Sequence, residues 1–401
     1  MNMRDKHIAL DEGIFYVGTN DRKKVLFENN WPLPYGVSYN SYLITDEKTA
    51  LIDTIEYGSD NSYLCRIDSL LQGKRLDYLV VNHMEPDHSS MLKEVLRVYP
   101  DVKVIGNAQT FKMLKNYFAL PAENFHEVKD GDTVELGKRT LRFYLVPWVH
   151  WPETMVTFEE SSKTLFSCDA FGGFGALDGG IFDYQNDFEE IYLPEMRRYF
   201  SNIVAKYCLP VQKAIAKLGA LEIKTIAPSH GLVWKENPGK VVELYDNWSR
   251  YEAENGVVIA YASMYGNVEK VADAIGRAFA ESGLKVRVID ATKTEMSYIL
   301  SDIWRYKGLI LGSCAYNGKM HPMMAHLCNE ISLIAPKNKV FGIFGGSTWN
   351  GAGVKDLRKF AEENKFEVVE PVIEINGSPF FEDTDVKVME LAKAISEKIN
   401  G

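Results

Sequence analysis

Apolar positions along this chain fall into two rhythms that meet near residue 250. From about residue 10 to 230, short apolar runs at 14–17, 41–44, 50–53, 78–81, 140–146 and 164–168 are separated by turn residues. Runs of that length read as strands. Stretches with helical spacing at 91–98 and 110–117 interrupt them, and a helix-rich stretch from Glu189 to Leu218 precedes a further strand at 224–227. The pattern predicts stacked sheets with helices outside, an α/β sandwich. Residues 239–253, with Val241, Val242, Leu244, Tyr245 and Trp248, read as a helix into the second region, where Gly256 opens a strand.

From 257 onward strand and helix alternate. Strands are expected at 257–261, 286–290, 308–312, 340–345 and 368–375, with helices at 268–282, 296–304, 322–334, 353–364 and 384–398. Parallel strands need crossover connections, so this alternation predicts a doubly wound, five-stranded parallel sheet. The expected domains are 1–252 and 253–401.

The chain's 401 residues agree with more than one core. A net charge of −10 argues against a nucleic-acid surface and against docking to an anionic membrane. The start, MNMRDKHIALDEG, has no apolar leader segment. No apolar run reaches the roughly 18 residues of a spanning helix. The five cysteines form no CxxC pair, which excludes a disulfide framework and a thiolate metal site and gives a cytoplasmic expectation.

Candidate chemistry gathers at strand ends. The run at 78–81 is apolar on both faces, as a buried strand is. It ends in Asn82-His83-Met84-Glu85-Pro86-Asp87-His88-Ser89-Ser90. Pro86 stiffens this turn, and Ser89 or Ser90 is positioned to cap the next helix. His150, Asp169 and His230 stand just past three later strands. A lone histidine in such a place is ordinarily a polar loop residue, but here four of the eight histidines share it. Four imidazoles and three carboxylates suit two metal ions with one carboxylate bridging. Without thiolate, the donor set fits iron, manganese or zinc. His7, His126, His321 and His326 are read as structural or surface residues. Trp148 and Trp151 flank His150 and are the leading wall candidates, with Trp31, Tyr35 and Phe171 behind them.

A second constellation lies at strand ends of the later region. Ser263-Met264-Tyr265-Gly266-Asn267-Val268 opens a helix, whose N-terminus favours an anion. The spacing is not GxGxxG, so a dinucleotide is not indicated. Ser313-Cys314-Ala315-Tyr316-Asn317-Gly318 and Ser347-Thr348-Trp349-Asn350-Gly351-Ala352-Gly353 follow the next two central strands. Ligands of such sheets sit beyond the carboxyl ends of the strands. Three such loops, two with an aromatic residue to flank a ring (Tyr316 and Trp349), point to FMN. The first resembles the flavodoxin phosphate loop.

The spacing His83-x-Glu85-x-Asp87-His88, with 61 residues before His150, 18 before Asp169 and 60 before His230, resembles the flavodiiron proteins. In that family a metallo-β-lactamase-like αββα sandwich precedes a flavodoxin-like domain, and the likeness spans essentially the whole chain. Hydrolases of the wider superfamily carry HxHxDH and commonly bind zinc; Glu85 stands where they have the second histidine, the mark of the diiron branch. The resemblance implies one iron on His83, Glu85 and His150, a second facing Asp87, His88 and His230, and Asp169 between them. The counterpart of His88 is not a ligand in every member. It also implies reduction of O2 to water, of NO to N2O, or both, with electrons passed through FMN. The expected donor is a separate rubredoxin-type protein. The expected assembly is a head-to-tail homodimer, or a dimer of dimers, that sets one subunit's flavin beside its partner's irons. The alternative is a dizinc hydrolase with a regulatory flavodoxin domain, against which Glu85 and the flavin loops both count.

Overall fold

In the computed structural model, which describes residues 8–119, 124–380 and 382–401, the predicted apolar runs pair into three main sheets. The chain divides into two compact units. One holds the residues up to Phe200 together with Tyr207–Asp246; the other holds Ser201–Lys206 and Asn247–Gly401.

The first unit stacks two sheets. The larger runs, in spatial order, Ile8–Asp11, Ile14–Tyr16, Tyr42–Thr45, Thr49–Ile52, Tyr78–Val80, Lys103–Gly106 and Phe125–Glu127. The smaller runs Thr133–Glu135, Thr140–Leu145, Met155–Glu159, Thr164–Cys168 and Thr225–Pro228. They meet through apolar inner faces: the Tyr42 and Phe166 rings lie 5.2 Å apart, and the Tyr42 hydroxyl donates to the Pro228 carbonyl at 2.7 Å. Two registers position the site. Tyr78–Val80 lies between parallel neighbours, so the 82–90 turn leaves from a fixed edge. Thr164–Cys168 runs parallel to Thr225–Pro228 with Cys168 opposite Pro228, so Asp169 and the segment leading to His230 emerge side by side.

Several elements depart from the expectation. The strands Ile8–Asp11, Lys103–Gly106, Phe125–Glu127, Thr133–Glu135 and Met155–Glu159, and the helix Tyr63–Leu71, lie outside the runs read from the sequence. Met155–Glu159 is buried at all five positions, including Thr157 and Glu159, so polar residues inside it disguise a core strand. The 189–218 stretch is not one helix type, since wide turns at Phe188–Tyr192 and Phe200–Val204 break it. The linking helix is Pro238–Ser249, and the next strand already starts at Glu254. Neither Ser89 nor Ser90 caps the following helix; Ser90 instead ends the short turn of helix Pro86–Ser89, its N–H donating to the Pro86 carbonyl. The Ser89 hydroxyl donates back to the Met84 and Glu85 carbonyls at 2.8 and 3.0 Å, Ser90 accepts from the Tyr57 N–H at 2.8 Å, and Met91 precedes Leu92–Val98 without a side-chain cap.

The second unit is doubly wound. Its parallel strands stand in the order Lys285–Asp290, Glu254–Ala262, Tyr306–Tyr316, Val340–Ser347 and Ile373–Asn376, so the chain order is 2-1-3-4-5. The short strand Lys319–Met320 folds back on Tyr306–Tyr316. Helix Asn267–Glu281 buries Val268, Val271, Ala272, Ile275 and Phe279 against Val257, Ile259 and Phe344, the i, i+3, i+4 stripe of a packed helix. The fifth strand is shorter than expected: Val368 makes a single bridge to Phe341, and Pro371, which has no N–H to give, stands before Ile373–Asn376. No helix of the described residues is long and apolar enough to cross a membrane.

Candidate metal centre and flavin cleft

The seven side chains singled out in the first unit converge, and each is at most 9% exposed. Asp169 stands at the middle. Its Oδ2 lies 3.2 Å from Nε2 of His83 and 3.2 Å from Nε2 of His150. Its Oδ1 lies 2.8 Å from Nε2 of His88 and 3.5 Å from Nε2 of His230. Glu85 Oε2 closes the first group, 3.4 Å from His83 and 3.1 Å from His150. Asp87 Oδ2 closes the second, 3.4 Å from His88 and 3.1 Å from His230. Donor atoms each about 2.1 Å from a common ion at tetrahedral or octahedral angles stand about 3.0–3.4 Å apart. The spacings therefore fit a pair of ions.

Unpartnered atoms give the same answer. His83 Nε2, His88 Nε2, His230 Nε2 and both oxygens of Asp87 and of Asp169 are buried without a hydrogen-bond partner. Burying so many orphaned polar atoms costs several kcal/mol, on the order of 1–3 for each, unless something binds them. Two of the outer ring nitrogens, those of His83 and His230, are instead held, whereas Nδ1 of His88 is buried without a partner. His83 Nδ1 bonds Glu153 Oε1 at 2.7 Å, and the same oxygen accepts the Met84 N–H at 2.9 Å. His230 Nδ1 donates to the Ser38 carbonyl at 2.7 Å. Fixing Nδ1–H leaves Nε2 as the free donor toward an ion, the usual orienting device of metal-binding histidine.

Charge tells how tightly this cluster is tuned. Burial opposes protonation of His83, but the carboxylates of Glu153, Glu85 and Asp169 outweigh it and raise its pKa to about 10. Against the same burial penalty, Asp169 and Glu85 raise His150 to about 10, and Asp87 and Asp169 raise His88 to about 9. Burial pushes Asp169 and Glu85 up, yet the surrounding histidines win and hold both well below the ordinary carboxylate range. Without metal, protons take the place of the cations. Cys168 lies near His88 and Asp169, and burial pushes its thiol far up.

The walls differ in part from the expectation. Trp151 stands edge-on to His83, ring centroids 5.1 Å apart. Trp148 is half-exposed and stacks on Tyr207, whose ring in turn lies 6.4 Å from His150. Trp31 is buried on the strand paired to Leu26–Phe27. Tyr35 and Phe171 are not walls. Tyr35 is exposed in a separate hollow with Arg22 and Phe174, and Phe171 packs on Tyr245 beside an apolar groove. The rings on His230 are Phe27, Tyr39 and Tyr199, at 5.4, 5.8 and 5.9 Å. Those three, together with Glu153 and Ser38, escaped the sequence reading. Only Glu153, three residues past His150, left a trace there, as a carboxylate near a candidate ligand. Of the histidines set aside, His126 and His326 are exposed, His321 caps Pro322–Ile334 by accepting the Met323 N–H, and His7 lies outside the described residues.

In the second unit the three loops border one cleft. Ser263, Met264, Tyr265, Asn267 and Val268 supply one side, Cys314 and Ala315 another, and Ser347, Thr348, Trp349 and Asn350 a third, with Ile375 and Gly377 added from the fifth strand's end. Gly266 takes φ of 83°, a conformation that favours glycine, and its N–H donates to Ser263 Oγ at 3.1 Å, so the turn closes directly before the helix. Gly318, Gly351 and Ala352 border a neighbouring hollow instead. Ser313 and Gly353 serve packing: Ser313 Oγ accepts the His321 N–H, and a Cβ on Gly353 would lie 2.4 Å from the Ser313 carbonyl. Asn317 sits in the hairpin turn. Tyr316, expected beside the ring, turns to His321 at 5.9 Å, whereas Trp349 and Tyr265 stand at the cleft almost fully exposed.

Comparison with known proteins places these two sites in context. Residues 37–231 match the ODP family beta lactamase, and residues 259–389 match flavodoxin. A nitric oxide reductase of Moorella thermoacetica is 31% identical, with 98% of each chain covered. An anaerobic nitric oxide reductase flavorubredoxin of Escherichia coli is 32% identical over 90% of this chain and 76% of its own length. The structure of rubredoxin oxygen:oxidoreductase from Desulfovibrio gigas superposes with a TM-score of 0.94 at 29% identity, covering 98% of this chain and 99% of that one.

Proposed function

This chain belongs to the flavodiiron proteins, oxidoreductases that carry FMN and two irons, and from that premise we propose that it reduces O2 to water, NO to N2O, or both, at the cluster around Asp169. One observation carries the reading: the two oxygens of a single buried carboxylate each face a separate set of one carboxylate and two histidines. In this reading His83, Glu85 and His150 would hold one iron and Asp87, His88 and His230 the other, with Asp169 shared between the two sets. Residues 1–252 form the diiron domain and 253–401 the FMN domain. Bound there, the iron pair and FMN supply the electrons: four for each O2 reduced to water, two for each pair of NO molecules converted to N2O.

The protein's part is placement and exclusion. Glu153 and the Ser38 carbonyl aim His83 and His230 inward. Trp151, Phe27 and Tyr39 make an aromatic surround that suits a small neutral gas. At the other site, the first turn of Asn267–Glu281 offers backbone N–H groups to the FMN phosphate, and Trp349 and Tyr265 offer ring faces to the flavin. Electrons come from a rubredoxin-type donor, in keeping with the relatives named rubredoxin oxygen:oxidoreductase and flavorubredoxin. A head-to-tail homodimer in the cytoplasm completes the proposal, one subunit's flavin facing its partner's irons.

The test is metal and flavin analysis of anaerobically prepared protein, followed by gas consumption. The expected result is about two irons and one FMN per chain, with N2O formed or O2 consumed when reduced rubredoxin is supplied. An active preparation holding zinc instead of iron would overturn it.

A further inference from the structure

Reducing either gas consumes protons as well as electrons, four with O2 and two with a pair of NO, and the aromatic surround of the centre supplies none. The cleft that opens on Glu85 and Asp87 is also lined by Lys24, Tyr39 and Glu56. Glu56 is held on both sides. Its Oε1 accepts from the Lys24 ammonium at 2.5 Å, and its Oε2 accepts a short bond from the hydroxyl of Tyr39, whose ring packs against His230. The side chains of Lys24 and Glu56 are each 28% exposed, whereas Tyr39 is 1% exposed. The three thus span from solvent to the wall of the centre. A surface ion pair of this kind contributes little to stability, about 0–1 kcal/mol, so stability gives weak reason for one inside a functional cleft.

We propose that Glu56, loaded through Lys24 and oriented by Tyr39, is the carboxyl that passes protons from solvent into the cleft facing the two irons. The Lys24 ammonium gives a proton to Glu56, Glu56 releases it to water in the cleft, and Lys24 regains one from bulk solvent. Only N–H and O–H bonds form and break, and the net change is one proton moved inward. Electrons arrive separately, from the flavin. Tyr39 is a positioning residue; the Glu56 carboxylate bonds Lys24 and Tyr39.

This inference rests on the reductase reading, and the experiment separates the two. Wild-type protein without iron or without turnover defeats the reading before any variant is made. Given an active wild type, Glu56→Gln is expected to keep its iron, its FMN and its rate of flavin reduction by the donor. Gas turnover should fall at least about tenfold, at the lower end of what a positioned proton carrier provides. The solvent deuterium isotope effect should rise, and added acetate should restore turnover in Glu56→Ala. Wild-type turnover with an unchanged isotope effect in Glu56→Gln overturns the proposal, as does a loss in Glu56→Ala that acetate leaves untouched. Should Glu56→Gln lose iron, Glu56→Asp decides. With its carboxyl kept, turnover near wild type supports the relay, and an iron-loaded Glu56→Asp with none overturns it.

Discussion

Seven side chains at the candidate metal centre, three carboxylates and four histidines, are none of them more than 9% exposed, whereas the flavin cleft is bordered by loops that leave Tyr265 and Trp349 90% and 88% exposed. Both sites sit at strand ends, yet they are finished to different degrees. The centre is held before any ligand arrives, by Glu153, Ser38 and the parallel register that sets Asp169 near His230. Around it, Trp148, Cys168 and Phe171 take positive φ, a backbone cost that the fold supports at ligand-bearing loops. The cleft is bordered by the first turn of Asn267–Glu281 and by exposed rings. A site made of buried charge couples ligand to folding; one made of exposed loops couples ligand mainly to affinity.

The hardest test of that contrast is Asp169→Ala. Removing the one carboxylate shared by both groups should abolish binding of both ions and lower turnover by about 10³-fold or more, more than the 10–100-fold cost of losing an outer partner. FMN absorbance should stay. A variant with two irons and full activity would refute the bridging role. Next comes Ser263→Asp, which sets a negative charge where the phosphate is expected. FMN should be lost, with iron content unchanged and donor-driven turnover stopped. Loss of iron in that variant would mean the two sites are not separable as described.

How far each site was legible in the sequence follows the same contrast. The 82–90 turn declared itself because four side chains able to bind metal stand within six residues, and no ordinary turn needs that density. The second unit's strands and helices were legible because a doubly wound sheet repeats one apolar rhythm. Glu153 was not, since one carboxylate in a Trp-Pro-Glu-Thr turn looks like any solvated turn until His83 is found beside it. Tyr35 and Phe171 misled for the opposite reason: aromatic identity says nothing of direction, and their rings turn away from the centre. Met155–Glu159 hid because Thr157 and Glu159 are satisfied by partners distant in sequence, Asn82 and Arg139.

A smaller effect separates the iron-free from the iron-loaded first unit by pH. His83, His150 and His88 have folded pKa values raised above the ordinary 6.5, to about 10, 10 and 9. Their contribution to stability is therefore complete below about pH 6.5 and is lost as pH rises through 9 to 10. Glu85 and Asp169, held low, contribute above about pH 4.5 and lose that only on acidification. Iron-free protein should thus unfold more easily at pH 10 than at pH 7, by on the order of a few kcal/mol. Iron-loaded protein should change little, because the ions replace the protons. Thermal melts of both forms across that range check it. Equal slopes would show that the histidines are not the groups the ions displace.

The smallest expected effect is at Trp349, and it bears most directly on the idea of an unfinished site. An indole that is 88% exposed makes few contacts to lose, so Trp349→Ala should leave the melting temperature of FMN-free protein within about 2 °C. With FMN bound the ring acquires a partner, and stacked aromatic pairs contribute about 0.5–1.5 kcal/mol beyond area. FMN affinity should therefore fall by roughly 2- to 12-fold, with iron content untouched. A titration of apo-flavoprotein with FMN, read by quenching of flavin fluorescence, gives the number. If the variant destabilises the FMN-free protein by several degrees, the cleft is finished before its ligand arrives, as the metal centre is. If affinity does not move at all, the flavin lies against Tyr265 and the other loops, and the exposed indole faces something else.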